Sequence, residues 1–353
     1  MLLTFACVWF LMIYTYVMNI LYFYNEEWEK DYVQKGLGGH SIDFFKSIKE
    51  ATPEILNSAE IVSVFVSHPV SKEFLDAMPN LKLIATRSTG FDHIDIEAAK
   101  VKGVEVVSVP FYGENTVAEF AFALLLTLSR KTYDAYDRIA ETGSFSQEGL
   151  RGFDLKGKTI GVIGTGHIGL NVIGMAKGFN MNVIAYDPFP KENVAKEVGF
   201  TYLSLDELLA GSDVITIHAP HTDSTHHMIN IGNIEKIKKG AYLINTARGA
   251  VVETQAIVEA LEKGILSGAG LDVLEEEGDM KDEITLLNSK HPKLEELKNV
   301  LSNHYLIDHP RVIVTPHIAF NTDEAIKRIL DTTADNINSF VNGEIKNSVL
   351  NKI

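Results

Sequence analysis

Cysteine is almost missing from this 353-residue chain, which carries only Cys7. No intrachain disulfide and no cysteine metal cluster can be built from one thiol, and that suits a reducing, cytoplasmic compartment. Positive charge is also in short supply. Lys and Arg number 32 against 47 Asp and Glu, a formal net charge of -15. Such a surface repels a phosphate backbone, which argues against nucleic acid as a partner; a small anionic ligand answers to local field instead. Repeats and low-complexity tracts are absent. At the N-terminus charge disappears altogether: residues 1–24, MLLTFACVWFLMIYTYVMNILYFY, contain no charged side chain. The run is long enough to span a bilayer. It lacks the basic region and cleavage site of a signal peptide, and acidic EEWEKD follows where a cytoplasmic flank would carry Lys and Arg. Met18 also opens MNILYFY, which reads as a buried strand and cannot then lie in lipid. Residues 1–17 are therefore read as a hydrophobic N-terminal extension, with a membrane tether as the less favoured alternative.

What is present points to two domains, since this length exceeds one ordinary core. Short β-rich runs alternate with helical patterns: ILYFY (20–24), IVSVFV (61–66), LKLIATR (81–87) and VEVVSV (104–109), then KTIGVIG (158–164), MNVIAYD (181–187), DVITIHA (213–219), AYLINTA (241–247), GAGLDV (268–273) and RVIVTP (311–316). A long helical stretch at 115–142 separates the two series, with Val117, Phe120, Leu124, Leu125 and Leu128 at helix spacing. Strands alternating with helices predict an α/β protein with parallel sheets covered on both faces. The polar segment 278–308 reads as a surface insertion, with a loop near the cleft as the less favoured alternative.

The stretch TIGVIGTGHIG holds G-x-G-x-x-G as Gly164, Gly166 and Gly169, with His167 and Ile168 between the last two. Alone this pattern is weak. Here a β-type run precedes it, a helical run follows it, and Asp187 closes the next strand. Gly164 permits the tight turn, Gly166 lets the backbone approach a pyrophosphate, and Gly169 lets helix pack on strand. The helix start supplies N–H groups and partial positive charge to phosphates. Asp187 would accept the ribose hydroxyls and repel a 2′-phosphate, so NAD is expected rather than NADP.

Three further residues stand where strands should end: Arg248 in NTARG, Glu277 in LDVLEEE and His317 in TPHIAF. A cation, an acid–histidine pair and a bound nicotinamide are the parts needed to move a hydride to or from a carbon beside a carboxylate. The run Glu275, Glu276, Glu277 would by itself be a solvated loop. Histidines at His218, His221, His226 and His227 have no acidic or cysteine partner at metal-ligand spacing, and hydride transfer to nicotinamide needs no metal, so none is expected.

These residues, with RSTGFDHID (87–95), VPFYGENTVAEF (109–120), HAPHTDSTHHMIN (218–230) and NTARGAVV (245–252), make the chain from about Met18 onward resemble the D-isomer-specific 2-hydroxyacid dehydrogenases, most closely their D-lactate dehydrogenase branch. The resemblance implies two Rossmann-like or flavodoxin-like domains with a cleft between them. Residues 18–114 and 318–353 would form the substrate domain, and 115–317 the NAD domain. It implies that Arg248 grips the substrate carboxylate and reacting oxygen, that His317 is the acid/base, and that Glu277, five residues past Asp272, orients it. Asp272 would contact the nicotinamide carboxamide. His218, Ala219, Pro220, Thr246 and Ala247 would join the glycine loop around the cofactor. Thr89 and Gly90 would offer N–H groups to the substrate carboxylate, and Tyr112 and Phe320 would flank the substrate. A small 2-oxo or 2-hydroxy acid of the pyruvate type and a homodimer joined through the NAD domain follow from the same resemblance. The alternatives are a glyoxylate/hydroxypyruvate reductase, a phosphoglycerate dehydrogenase-like enzyme, or an NAD-sensing corepressor-like scaffold.

Overall fold

A computed structural model describes residues 17–275 and 294–350. The chain divides into two compact units, one formed by residues up to Tyr112 and again from Asp323, the other by Gly113–Thr322.

The first unit begins with β1 (Asn19–Phe23), α1 (Trp28–Gly36), β2 (Ser41–Phe45), α2 (Pro53–Ser58), β3 (Ile61–Val64), α3 (Lys72–Asp76), β4 (Leu83–Thr86), α4 (Ile96–Lys102) and β5 (Glu105–Val107). Its sheet is parallel, in the order β2-β1-β3-β4-β5, which is the flavodoxin-like order. The run MNILYFY supplies β1, next to one edge of the sheet. Side chains alternate across a strand, so Leu21 and Phe23 join Val62, Val64, Phe74, Leu75 and Ala99 on one face. Ile20 and Tyr22 join Val33, Leu37, Leu330 and Ile337 on the other. Apolar burial on both faces explains why this strand reads as continuously hydrophobic. Strand β2, SIDFF, has no fully buried residue, and no comparable run announces it.

Arg87, just past β4, is 2% exposed. Its guanidinium donates to the Tyr22 hydroxyl (2.8 Å), to Glu29 Oε2 (2.6 Å) and to the Phe23 carbonyl. The other Glu29 oxygen accepts N–H groups from Asn25 and Glu26. Burial pushes the Tyr22 phenol up to about 12. A buried arginine–carboxylate pair thus ties β4 to β1 and α1.

The second unit contains α5 (Glu114–Arg130), α6 (Thr132–Thr142), β6 (Thr159–Ile163), α7 (His167–Gly178), β7 (Asn182–Tyr186), α8 (Glu192–Val198), β8 (Thr201–Tyr202), α9 (Leu205–Gly211), β9 (Val214–Ile217), β10 (Ala241–Asn245), α10 (Thr254–Glu262), β11 (Leu266–Leu271), α11 (Leu294–Asp308) and β12 (Val312–Val314). The expected helix over 115–142 is two helices, broken where Lys131 turns left-handed at φ 52°. The seven-stranded sheet runs β12-β11-β10-β9-β6-β7-β8 and is parallel throughout. Read from β6, this is the Rossmann order with one added edge strand. Of the polar stretch 278–308, residues 278–293 lie outside those described, and the remainder is more than a surface insertion. Within α11, Asn303 and Leu306 are fully buried, and Leu306 packs with the core leucines and isoleucines of β10, β11 and α10. The chain then returns to the first unit as α12 (Asp323–Val341).

No helix among the described residues is long and apolar enough to cross a membrane. Residues 1–16 of the N-terminal extension lie outside those described; Val17 is exposed and Met18 buried.

Candidate active site

In open parallel sheets, ligands bind beyond the carboxyl ends of the strands, where the strand order reverses. Here that point lies between β6 and β9. Gly164 follows β6 at φ 89°, and a Cβ there would stand 2.7 Å from the His218 carbonyl that follows β9. A Cβ on Gly169 would stand 2.0 Å from the Gly164 carbonyl, so only glycine lets α7 start this close to the strand. At Gly166, by contrast, a Cβ would point into open space. His167 begins α7, its Nδ1 3.1 Å from Glu114 Oε1, and Ile168 follows it in the first turn.

Asp187 follows β7 directly and is half-buried. One oxygen accepts the Thr165 N–H (2.7 Å) and hydroxyl (2.9 Å), and the other accepts the Phe189 N–H (2.9 Å). The second oxygen keeps a lone pair for a further donor. Thr165 also meets the Tyr202 hydroxyl at 2.8 Å, a linkage between residues 37 apart that no local motif marks.

Two polar atoms at adjoining strand ends are buried without a partner among the described residues: His218 Nδ1 after β9 and Thr246 Oγ1 after β10. The other His218 nitrogen meets Thr216 Oγ1 at 2.8 Å, and burial drives the imidazole down to about 3, so it is neutral at physiological pH. Buried polar atoms are rarely left unsatisfied. With the open space at Gly166, these orphaned atoms form a cradle that fits a dinucleotide. Ala219 and Pro220 follow His218 on the same edge, and Ala247 follows Thr246.

Arg248, Asp272 and His317 follow β10, β11 and β12, three neighbouring strands, at the carboxyl edge of one sheet. Asn245 shapes the Arg248 turn: its amide accepts from Ala247 N (3.0 Å) and donates to the Arg248 carbonyl (3.0 Å). The guanidinium of Arg248, half-buried, donates to the Ala247 carbonyl at 2.8 Å. A Cβ on Gly249 would lie 2.1 Å from the Leu274 carbonyl group, so glycine is what lets this turn press against that backbone.

His317 is a non-glycine residue at φ 54°, a conformation that needs support from its surroundings. Its N–H donates to the carbonyls of Asp272 and Thr315, both at 2.9 Å. The Asp272 carboxylate, with no solvent exposure, accepts the Thr315 hydroxyl (2.6 Å) and the N–H groups of Ile318 (2.9 Å) and Ala319 (2.8 Å). Burial pushes this carboxyl above its ordinary range against the pull of those donors. Asp272 therefore holds the loop that carries His317 and, beyond it, the half-buried Phe320. Glu277 lies outside the described residues.

Glu275 is not the solvated acid that its neighbours suggest. It is buried; His227 Nε2 lies 2.5 Å from one oxygen, and the N–H and hydroxyl of Thr254 bind the other. No local pattern in the sequence marks this pairing.

In the first unit, the Thr89 hydroxyl donates to the Val109 carbonyl (2.8 Å) and the Ser88 hydroxyl to the Gly90 carbonyl (2.6 Å). The amide N–H groups of Thr89 and Gly90 donate to no described residue. Tyr112 is half-buried, and its carbonyl accepts from Arg328 Nε at 2.7 Å. No group of three or more His, Cys, Asp or Glu residues among those described could hold a metal ion.

Parallel sheets of these two orders, a dinucleotide cradle, and an arginine and a histidine on the same sheet edge define a two-domain, nicotinamide-dependent oxidoreductase. Residues 122–319 match the NAD-binding domain of the D-isomer specific 2-hydroxyacid dehydrogenases, and the chain belongs to that family. It is 36% identical to the D-lactate dehydrogenase of Escherichia coli, over 93% of this chain and 98% of that one. It is 38% identical to an aromatic 2-oxoacid reductase of Clostridium sporogenes, over 88% and 92%. The crystal structure of D-lactate dehydrogenase from Aquifex aeolicus, complexed with NAD and lactic acid, superimposes with a TM-score of 0.83 at 39% identity, covering 94% of this chain and 99% of that one. The protein is an NAD-dependent enzyme acting on 2-hydroxy acids.

Proposed function

We propose that the enzyme reduces a small 2-oxo acid of the pyruvate type to the D-2-hydroxy acid, reversibly. The observation that carries this reading is the placement of Arg248 after β10 and His317 after β12, on either side of β11 and on the sheet edge where the dinucleotide cradle opens. NADH, when bound, supplies the hydride for the carbonyl carbon. His317 gives its imidazole proton to the carbonyl oxygen, so hydride and proton together make the hydroxyl. Arg248 grips the substrate carboxylate and the reacting oxygen through paired donors that stay charged. The family pattern assigns Thr89 and Gly90 to the substrate carboxylate and Tyr112 and Phe320 to the flanks of the substrate, and the roles of these four residues rest on that pattern. Glu277 orients His317, a role that rests on its spacing from Asp272. Asp272 acts first on the His317 loop, because three donors from residues 315–319 already occupy its carboxylate; its contact with the nicotinamide carboxamide rests on the family pattern. The glycine loop with His167 and Ile168, the Asp187 carboxylate, and the segments 218–220 and 246–247 would hold the cofactor.

The test is NADH oxidation by the purified protein against pyruvate, phenylpyruvate, glyoxylate and hydroxypyruvate, repeated with NADPH. Turnover of pyruvate with NADH well ahead of NADPH is expected. No turnover of any 2-oxo acid overturns the function, and a preference for NADPH overturns the role of Asp187.

The same reading includes a cytoplasmic homodimer joined through the NAD domain. The lone cysteine supports the compartment. Support for the dimer comes from α6, which buries none of its residues and leaves Tyr133, Tyr136, Ile139 and nearby Phe145 exposed. Exposed aromatic patches of this kind mark protein contacts. Sedimentation as two 39.1 kDa chains supports it, and a monomer overturns it.

A further inference from the structure

The pair formed by buried Glu275 and half-buried His227 has no part in the chemistry above, yet its partners converge on the turn that carries Arg248. Glu275 Oε1 lies 2.5 Å from His227 Nε2, and Oε2 accepts the N–H (3.1 Å) and hydroxyl (2.8 Å) of Thr254, the first residue of α10. The Glu275 carbonyl accepts the Asn303 amide at 2.9 Å. His227, at φ 49°, donates its own N–H to the Ala250 carbonyl at 2.9 Å. Two residues on, Ile229 exchanges hydrogen bonds with Val251 and Glu253. One carboxylate therefore joins the 227–229 loop, the segment after β11 and the start of α10, and the segment enclosed by those three is 248–253.

That segment has little order of its own. Arg248 is extended, at φ -144° and ψ 141°, and the turn after it is a single 3-10 turn at Gly249–Val251. Internal bonds run from Val251 N to the Arg248 carbonyl (3.3 Å) and from Val252 N to the Gly249 carbonyl (3.0 Å). Neither a helix nor a strand sets where Arg248 points. Asn245 holds the turn from before, and Glu275 with Thr254 and His227 holds it from behind and beneath. At Gly249 the turn lies directly on the Leu274–Glu275 backbone, so a shift of that backbone moves Arg248. Burial pushes the Glu275 carboxyl up, but the His227 imidazole and the Thr254 donors outweigh it and hold the group below its ordinary range. The carboxylate is therefore ionised at neutral pH.

We propose that Glu275 and His227 form a positioning pair that fixes the Arg248 turn and so sets affinity for the 2-oxo acid without touching it. The proposal rests on reading Arg248 as the carboxylate binder. A displacement on the order of 1 Å at a positioning group costs up to about a hundredfold in rate, and a clamp of this kind should act mainly on substrate capture.

The test compares Glu275→Gln, His227→Gln, His227→Ala and Arg248→Lys. For each, kcat and KM for pyruvate, NADH affinity by fluorescence, and amide hydrogen exchange over residues 248–254 are measured. Glu275→Gln keeps the size and loses the charge. It should raise KM by about tenfold while kcat and NADH affinity stay within a few-fold, with faster exchange over 248–254. His227→Ala should do the same. His227→Gln restores a donor where Nε2 stood and should recover most of the affinity. A folded Glu275→Gln enzyme with wild-type KM, beside an Arg248→Lys enzyme with a raised one, overturns the positioning role and leaves the reading of Arg248 intact. If Arg248→Lys itself keeps a wild-type KM, that reading fails, and the affinity role of the pair fails with it, whatever the exchange data show. Raised exchange with unchanged KM in Glu275→Gln shows a merely structural staple and also overturns the proposal.

Discussion

Each of the two units buries carboxylates, and they satisfy them differently. In the first, Glu29 faces Arg87, and the pair is enclosed with Tyr22 between β1, β4 and α1. In the second, Asp272 and Glu275 have no arginine or lysine partner among the described residues. Their oxygens are taken by hydroxyls, by backbone N–H groups and, for Glu275, by a histidine. The donors to Glu29 belong to the framework of a sheet and its helix. The donors to Asp272 and Glu275 belong to the segments on either side of His317 and Arg248. Buried charge in the first unit therefore secures architecture, and in the second it secures the aim of reactive side chains. Breaking the former should cost stability with little change in catalysis per folded molecule; breaking the latter should do the reverse.

The sharpest contrast comes from the histidine itself. His317→Ala should lose about a hundred- to ten-thousand-fold in turnover while NADH affinity and melting temperature stay near wild type. Steady-state kinetics with fluorescence titration checks this, and turnover within a few-fold of wild type removes His317 from the chemistry.

Arg87→Met should behave in the opposite way. It strands a buried carboxylate, which costs about 3–5 kcal/mol. Urea unfolding should show that loss, with kcat of the folded fraction unchanged. Arg87→Met combined with Glu29→Met should recover much of the stability, because replacing both members of a buried pair with apolar groups is often neutral. A stable single variant, or a catalytic defect at full stability, breaks the comparison.

The smallest effect is a difference in sign with pH. Glu275 is held below its ordinary range, so its contribution to stability is present above the unfolded value of about 4.3 and is lost as pH falls through the folded value. Asp272 is pushed above its range by burial. Its contribution is full below the unfolded value of about 3.9 and is lost as pH rises through the folded value. Urea midpoints between pH 3 and 7 should therefore show the penalty of Glu275→Gln shrinking toward acid. The penalty of Asp272→Asn should instead shrink toward neutrality. Parallel curves for the two variants would show that the environments of these acids do not differ as described.

Much of this was legible in the residues alone, for physical reasons. Strands buried on both faces write continuous apolar runs, so KTIGVIG and DVITIHA announce themselves. A glycine loop between strand and helix, closed by Asp187, is a local pattern. Arg248 and His317 stand next to strand ends, where parallel sheets collect their ligands. What escaped depends on distant partners or on weak patterns. Strand β2 is only half-buried, and β8 spans two residues. The break at Lys131 occurs at a residue with no tendency to mark a turn. Asn303 and Leu306 sit in a charged stretch whose one buried side shows only against the sheet. Glu275 shares its run with two like residues, and nothing near it in sequence shows that His227 and Thr254 wait for its oxygens.

The order in which the chain leaves the ribosome meets one consequence of its layout. Helix α12 supplies Leu330 and Ile337 to the core over β1, β3 and β4, and a bridge joins Val107 to Ser348. The first unit is thus begun by β1 and completed only after Asp323. Residues 113–322, by contrast, are contiguous and can complete their sheet while the tail is still being made. Until the tail arrives, one face of the five-stranded sheet lacks its cover, and contacts so distant along the chain are slow to close. A nascent or truncated chain lacking α12 is therefore the aggregation-prone form of this protein, and a change at Leu330 or Ile337 would lower its yield in the cell before it altered a single turnover.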